Sequence, residues 1–263
     1  MDKILLAVSI LCFLGGFAYA VSGLRAGRHH DSRANLLVMA AGFLFLCGTL
    51  YLRGQLQHRC PITSLYEVLV FLSWSTVLLY FILGRSFRIS LLGVFTVPLV
   101  LGFQLIGLAG FLLESPSART SDPAREIDVW LELHASVSLV SFGALALAGV
   151  AGLMFLVQDR QLKKHHLKAL FYNLPPIRYL TTAVIRLIGI GLVLLTVGIA
   201  SAFLMKNVPA PLHQGLSMVT WTTYAILLVL HASNRVGNTK LAQGAMAAFL
   251  FPVLTLLLLK FSG

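Results

Sequence analysis

Acidic side chains are scarce in this chain: nine Asp and Glu stand among 263 residues, against 20 Lys and Arg. Charged residues of both signs make up 11%, less than half of the roughly 25% found in soluble globular domains. That excludes an ordinary water-soluble fold. Cysteine is rare too. Cys12, Cys47 and Cys60 are widely spaced, so no Cys-x-x-Cys redox pair exists, and without Cys-x-x-Cys-His the chain is not itself a covalent c-type cytochrome. No glycine-rich phosphate loop and no nucleophile–base motif occurs, which leaves an energy-driven transporter or a hydrolase unsupported. Internal repeats and low-complexity tracts are also missing.

What the chain has instead is apolar length. Hydrophobic residues make up 58% of it, with a mean hydropathy of +0.87. A hydrocarbon layer about 30 Å thick takes roughly 20 helical residues to cross. Eight stretches meet that demand: Ile4–Leu24, Ala34–Leu52, Ser64–Leu83, Ile89–Leu113, Leu133–Val157, Ala183–Met205, Leu216–His231 and Leu241–Phe261. Backbone groups inside a bilayer must bond to one another, so a spanning chain forms helices or a closed barrel. These runs lack the alternation of barrel strands. The expected fold is all-α, a polytopic membrane helix bundle of about eight transmembrane helices, with residues 1–263 forming one integral membrane domain.

The net charge of +11 is a matter of topology, not of nucleic acid. Basic residues cluster in the short loops and obey the positive-inside rule. Twelve Lys and Arg fall on one side: Arg25, Arg28, Arg33, Arg85, Arg88, Arg160, Lys163, Lys164, Lys168, Arg178, Arg235 and Lys240. Seven fall on the other: Lys3, Arg53, Arg59, Arg119, Arg125, Lys206 and Lys260. The first side is assigned to the cytoplasm, and both termini are then outside. Lys3, an apolar run and Ala18-Tyr19-Ala20 resemble a secretory signal with its cleavage site. Cleavage would put Arg25, Arg28 and Arg33 outside, against the charge rule, so the segment is read as a span. The basic strip around Lys163, Lys164, His165, His166 and Lys168 suits the anionic headgroups of the lipid bilayer.

Polar groups in or beside a membrane span are costly and each calls for a reason. His134 opens the fifth span on the outer side, with Ser138 and Ser141 on the same helical face. His213 stands where the seventh span begins, at the head of a stripe through Ser217, Trp221, Tyr224 and His231. His213 and His231 face the same way about 27 Å apart, too far for one iron, and His231 reads as an anchor of the helix end. His134 and His213 share the outer face. An imidazole pair suits axial ligation of a non-covalent heme, and Arg53, Arg59 and Lys206 are on the correct side for its propionates. Glu67, at the start of span three, reads as a helix-end carboxylate that caps amides or pairs with an outer arginine. Gly189, Gly191 and Gly198 in span six read as sites of close helix packing, and the outer segment Glu114–Glu132 as a loop with a short surface helix ending at Trp130.

The stretch from Val184-Ile185-Arg186-Leu187-Ile188-Gly189-Ile190-Gly191 through Leu194-Leu195-Thr196-Val197-Gly198-Ile199-Ala200-Ser201 resembles the cytochrome c assembly family of CcsA/ResC/CcmC-like membrane proteins. So do Cys60-Pro61-Ile62-Thr63-Ser64-Leu65-Tyr66-Glu67-Val68-Leu69, Leu131-Glu132-Leu133-His134, and Thr220-Trp221-Thr222-Thr223-Tyr224-Ala225 with Leu230-His231. The likeness is spread over about residues 60 to 250. Members that present heme to apocytochromes carry a tryptophan-rich WWD loop between the spans matching six and seven. Here tryptophan occurs only at 74, 130 and 221, and in this the chain is similar to the shorter YpjD/HemX-like branch. The resemblance implies handling of heme b in support of cytochrome c assembly. It implies heme-ligand roles for His134 and His213 and a place for Trp221 beside the heme, to which the arginines on the propionate side, Arg53 and Arg59, are added as further cofactor contacts. It also implies other maturation proteins or an apocytochrome as partners, and a bacterial cytoplasmic (inner) membrane as location. The implied chemistry is ligation, not bond-making. A cofactor-free structural or assembly subunit of a membrane complex is the alternative. An electron-transferring b-type cytochrome ranks last, because such proteins usually need histidine pairs buried within the spans and the candidates here sit at span ends.

Overall fold

A computed structural model describes residues 1–26, 32–87, 92–113, 128–163, 176–205 and 211–258, all or nearly all of each stretch helical. The helices are α1 (Asp2–Ala26), α2 (Ser32–Gln57), α3 (Leu65–Phe87), α4 (Leu92–Leu113), α5 (Val129–Lys163), α6 (Ile177–Ala202), α7 (Pro211–Ala232), α8 (Asn238–Ala248) and α9 (Leu250–Leu258). Among the described residues eight helical segments are long and apolar enough to cross a membrane, as the hydropathy pattern predicts. The last of them, Asn238–Leu256, is two helices end to end. Pro252 causes the break. It has no N–H to offer the carbonyl of Ala248 four residues earlier, and its ring crowds that carbonyl.

Several helices outrun their apolar cores. α2 continues five residues past Leu52, α5 runs six past Val157, and α6 begins six before Ala183. Hydropathy falls at the membrane surface, whereas the hydrogen-bond ladder continues for as long as propensity allows. Two expectations change in consequence. Arg53 belongs to α2 and not to a loop, and Trp130 opens α5 instead of closing a separate surface helix.

α5 is the mast of the bundle. Its 35 residues pack against α3, α4, α6 and α8, and its interface with α6 is the most extensive. Small residues make this possible, since without a hydrophobic force between helices in lipid, close van der Waals packing carries association. A Cβ on Gly143 would lie 3.2 Å from the backbone nitrogen of Thr76 in α3. One on Gly152 would lie 2.8 Å from the carbonyl oxygen of Ala242 in α8. From α6, Gly191 and Gly198 face Leu145, Ser141 and Ser138 of α5, as the glycine pattern predicts. Gly189 does not share in this; no atom of another helix among the described residues lies within 4 Å of where its Cβ would be. The apolar core around α5 is one of two. The other lies among α1, α2 and α4, with Val70 and Val77 of α3.

Candidate functional site

Contacts between helix ends bring Asp2, Arg53, Gln57, Glu67, Glu132 and His134 to one end of the bundle, here the head end. Arg53, in the last turns of α2, is 1% exposed. Its Nε lies 3.2 Å from Asp2 at the start of α1, and its Nη1 lies 3.3 Å from Glu67 in the first turn of α3. The guanidinium carbon sits 3.7 Å above the ring of Phe111 in α4. One side chain thus joins all of the first four helices. Burial of such a cation is tolerable only because two carboxylates and an aromatic face surround it.

Glu67 does what its place at a helix start predicts. Its Oε2 accepts the backbone N–H groups of Thr63 (2.9 Å) and Ser64 (3.3 Å) and the Thr63 hydroxyl, while Ser64 Oγ accepts the Glu67 N–H. This is a reciprocal capping box. Oε1 accepts the Gln57 amide.

The turn between α2 and α3 is therefore held from below. It is also held from the side, because the Cys60 N–H donates to Glu132 Oε1 of α5 at 3.2 Å. His58 takes a positive φ of 52° to make the corner, a conformation histidine tolerates better than most residues. Arg59, half-buried, is thereby fixed one residue from an anchor on α5, and Glu132 is two residues before His134. The Cys60 thiol is pushed up from an ordinary pKa of 9.0 to about 11, first by burial, then by Glu132 and Glu67. It stays protonated at neutral pH. In a Cys12→Ala/Cys47→Ala background, alkylation of Cys60 at pH 8 is expected to run about tenfold slower than that of a free thiol. The two-unit rise cuts thiolate about 100-fold, and greater intrinsic nucleophilicity returns part of that. The rate should keep climbing with pH up to about 11 instead of levelling near 9, which a maleimide or iodoacetamide time course measures.

His134 lies in the seam between α5 and α6, 7% exposed. Its Nδ1 is 2.7 Å from the carbonyl oxygen of Gly198, and the same oxygen accepts the Ser201 hydroxyl at 2.7 Å. One turn further along α5, Ser138 Oγ is buried with no hydrogen-bond partner among the described residues. Another turn on, the Ser141 hydroxyl donates to the Gly191 carbonyl at 2.8 Å. The polar face of α5 that the sequence singles out is thus laid against the glycine face of α6.

Trp221 occupies a different surface. Its indole N–H donates to Thr196 Oγ1 at 2.9 Å, across from α7 to α6. It lines an apolar groove of about 490 Å³ with Thr196, Ile199, Ala200, Phe203, Met218 and Thr222. Gly198 faces α5 while its neighbours face this groove, so α6 stands between His134 and Trp221. The structure brings Arg53, Glu67, Arg59, Glu132 and His134 to one end, and none of them lines the groove beside Trp221. The side chain of His213 and all of Lys206, Arg119, Arg125, His165 and His166 lie outside the described residues. His231 anchors the far end of α7, its Nδ1 2.9 Å from the Val236 carbonyl, as its position predicts. Asp2 and Gln57 were not singled out from sequence; their only signal is a polar side chain at the edge of an apolar run.

The family model described as cytochrome C assembly protein matches residues 62–263. The chain belongs to that family. It is 26% identical over 203 residues to the cytochrome c biogenesis protein CcsA of Chlamydomonas reinhardtii, covering 73% of this chain and 56% of that one. To CcsA of Ranunculus macranthus it is 24% identical over 283 residues, covering 94% and 87%. To CcsA of Synechococcus sp. (strain CC9902) it is 34% identical over 134 residues, covering 49% and 43%. The match thus spans about half the length of the algal and cyanobacterial relatives. Within this cytochrome c assembly protein, His134, His213 and Trp221 fall inside the matched region, whereas Arg53 and Arg59 precede it. The chain is an integral membrane protein of the cytochrome c assembly family.

Proposed function

We propose that this protein holds non-covalent heme b at the head end of the bundle during cytochrome c maturation, with His134 and His213 as the iron ligands. The observation that carries the reading is the placement of His134. A buried imidazole with one ring nitrogen tied to a backbone carbonyl is the arrangement in which metal-ligating histidines are ordinarily held. α6 ends at Ala202, four residues or about 6 Å past Gly198, so the starts of α5 and α7 flank its end and a ligand there can meet both. Arg59, on its anchored turn, is assigned to a propionate. Arg53 is assigned to bracing the helices, since its guanidinium already serves Asp2 and Glu67. Trp221, beyond α6, is assigned to the apolar groove and an edge of the bound macrocycle. When bound, heme supplies a redox-active iron; the chain's residues bind, orient and shield it.

The charge asymmetry supports a head end on the extracytoplasmic side with both termini outside, and a bacterial cytoplasmic membrane is the assigned location. The absent WWD loop favours the YpjD/HemX-like branch, with heme held for other maturation proteins or an apocytochrome and no bond made by this chain. The test is the visible spectrum of detergent-purified protein titrated with hemin. A low-spin bis-imidazole spectrum is expected. It should shift toward high spin in His134→Ala and in His213→Ala, and vanish in the double variant. Spectra indifferent to both substitutions would remove these residues from the site. A stable membrane partner co-purifying with heme absent from both would favour the cofactor-free assembly subunit.

A further inference from the structure

We infer that Gly198 is the positioning residue for His134: its carbonyl keeps the imidazole proton on Nδ1 and so makes Nε2 the nitrogen offered to a metal, and its missing side chain is what lets α5 and α6 close to that distance. The first half follows from hydrogen-bond chemistry. A carbonyl oxygen has no proton to give, so the ring nitrogen 2.7 Å from it must donate,. In a neutral imidazole the lone pair then resides on Nε2, and the tautomer is set by the partner of the other nitrogen.

The second half follows from sterics. A Cβ at position 198 would lie 2.4 Å from Ser138 Oγ, but 3.5 and 3.6 Å from Ser138 Cβ and Cα. Only the hydroxyl is in the way, and because it ends a rotatable side chain an added methyl group is met either by a turn of Ser138 or by a shift of α6. That hydroxyl is the buried, unpartnered one. Ser138 and His134 are one turn apart on the same face of α5, so moving α6 away from Ser138 also carries the Gly198 carbonyl away from the ring. Gly189, in the same helix, has no atom of another described helix within 4 Å of its Cβ position, and supplies a matched control for the helix-propensity effect of glycine to alanine.

The iron-binding consequence rests on the heme reading above, but the tautomer does not, and the experiment separates them. Full-length protein labelled with ¹⁵N-histidine is reconstituted without heme in lipid nanodiscs, and the His134 signals are identified by their loss in His134→Gln. The expected spectrum has a protonated Nδ1 and an unprotonated Nε2. Gly198→Ala should mix in the other tautomer. Ser138→Ala/Gly198→Ala should restore the original one, and Gly189→Ala should leave it unchanged. Hemin affinity, measured in parallel, should fall about 10–100-fold in Gly198→Ala and recover in the double variant. A protonated Nε2 in the unaltered protein, or a tautomer indifferent to Gly198→Ala, overturns the inference. If the protein takes up no hemin while the tautomer behaves as described, the heme reading fails and the positioning role stands. Should Gly198→Ala not fold, the double variant still decides: loss of the Nδ1–H form there, with the serine hydroxyl removed, is equally fatal.

Discussion

Replacing Arg53 with methionine is expected to destabilise the protein by about 3–5 kcal/mol, the usual cost of removing one partner from a buried ion pair. Methionine fills similar space and keeps an apolar contact with Phe111. It leaves the carboxylates of Asp2 and Glu67 in place, 6% and 1% exposed, without their shared cation. Glu67 retains its donors from Thr63, Ser64 and Gln57, so most of the effect should fall on α1, whose Asp2 loses its partner in α2. Unfolding in mixed micelles with increasing SDS measures this, and Asp2→Asn/Arg53→Met/Glu67→Gln should recover most of the loss because no uncompensated charge remains. A single variant as stable as the parent would mean that water reaches the cluster and that the four-helix junction carries little energy.

The second large effect is expected at Gly152. Its Cβ position is 2.8 Å from the Ala242 carbonyl oxygen and 3.5 Å from that residue's C and Cα. These are backbone atoms and cannot rotate aside. Gly152→Val must force α8 off the mast, at about 1–3 kcal/mol or more for overpacking. Gly149→Ala, one turn earlier, meets nothing nearer than 3.7 Å and should be close to neutral. The same SDS titration distinguishes the two. Equal stabilities would show that α8 slides along α5 instead of being keyed to it.

These expectations differ in how far they were visible before any coordinates. All eight crossings were legible because a 20-residue apolar run has few alternatives in a bilayer. The glycine face of α6 was legible at Gly191 and Gly198, where small residues recur on one side. It misled at Gly189, since spacing alone does not say which side of a helix meets a neighbour. Arg53 was read as a cation in the loop after the second span. Hydropathy treats arginine as a boundary, and the partners that make its burial tolerable are 51 positions before it and 14 after it. Likewise Trp130 was read as the end of a surface helix, but helix propensity lets α5 begin outside the apolar region and take Trp130 into its first turn. For the candidate site, the residue types and their common end of the bundle were readable. The separation of His134 from Trp221 by α6 was not, because it depends on which face each helix turns to its neighbour.

The guanidinium junction also has a consequence for biosynthesis. Asp2, Arg53 and Glu67 are all encoded within the first 67 residues, and α5 starts only at Val129. The charges that are most awkward to leave in lipid therefore have their counter-ions before translation reaches the mast. The amino-terminal hairpin and α3 can leave the translocon with these ions already paired, and Phe111 covers the guanidinium when α4 arrives. The later helices then gather on a platform whose electrostatics are already settled.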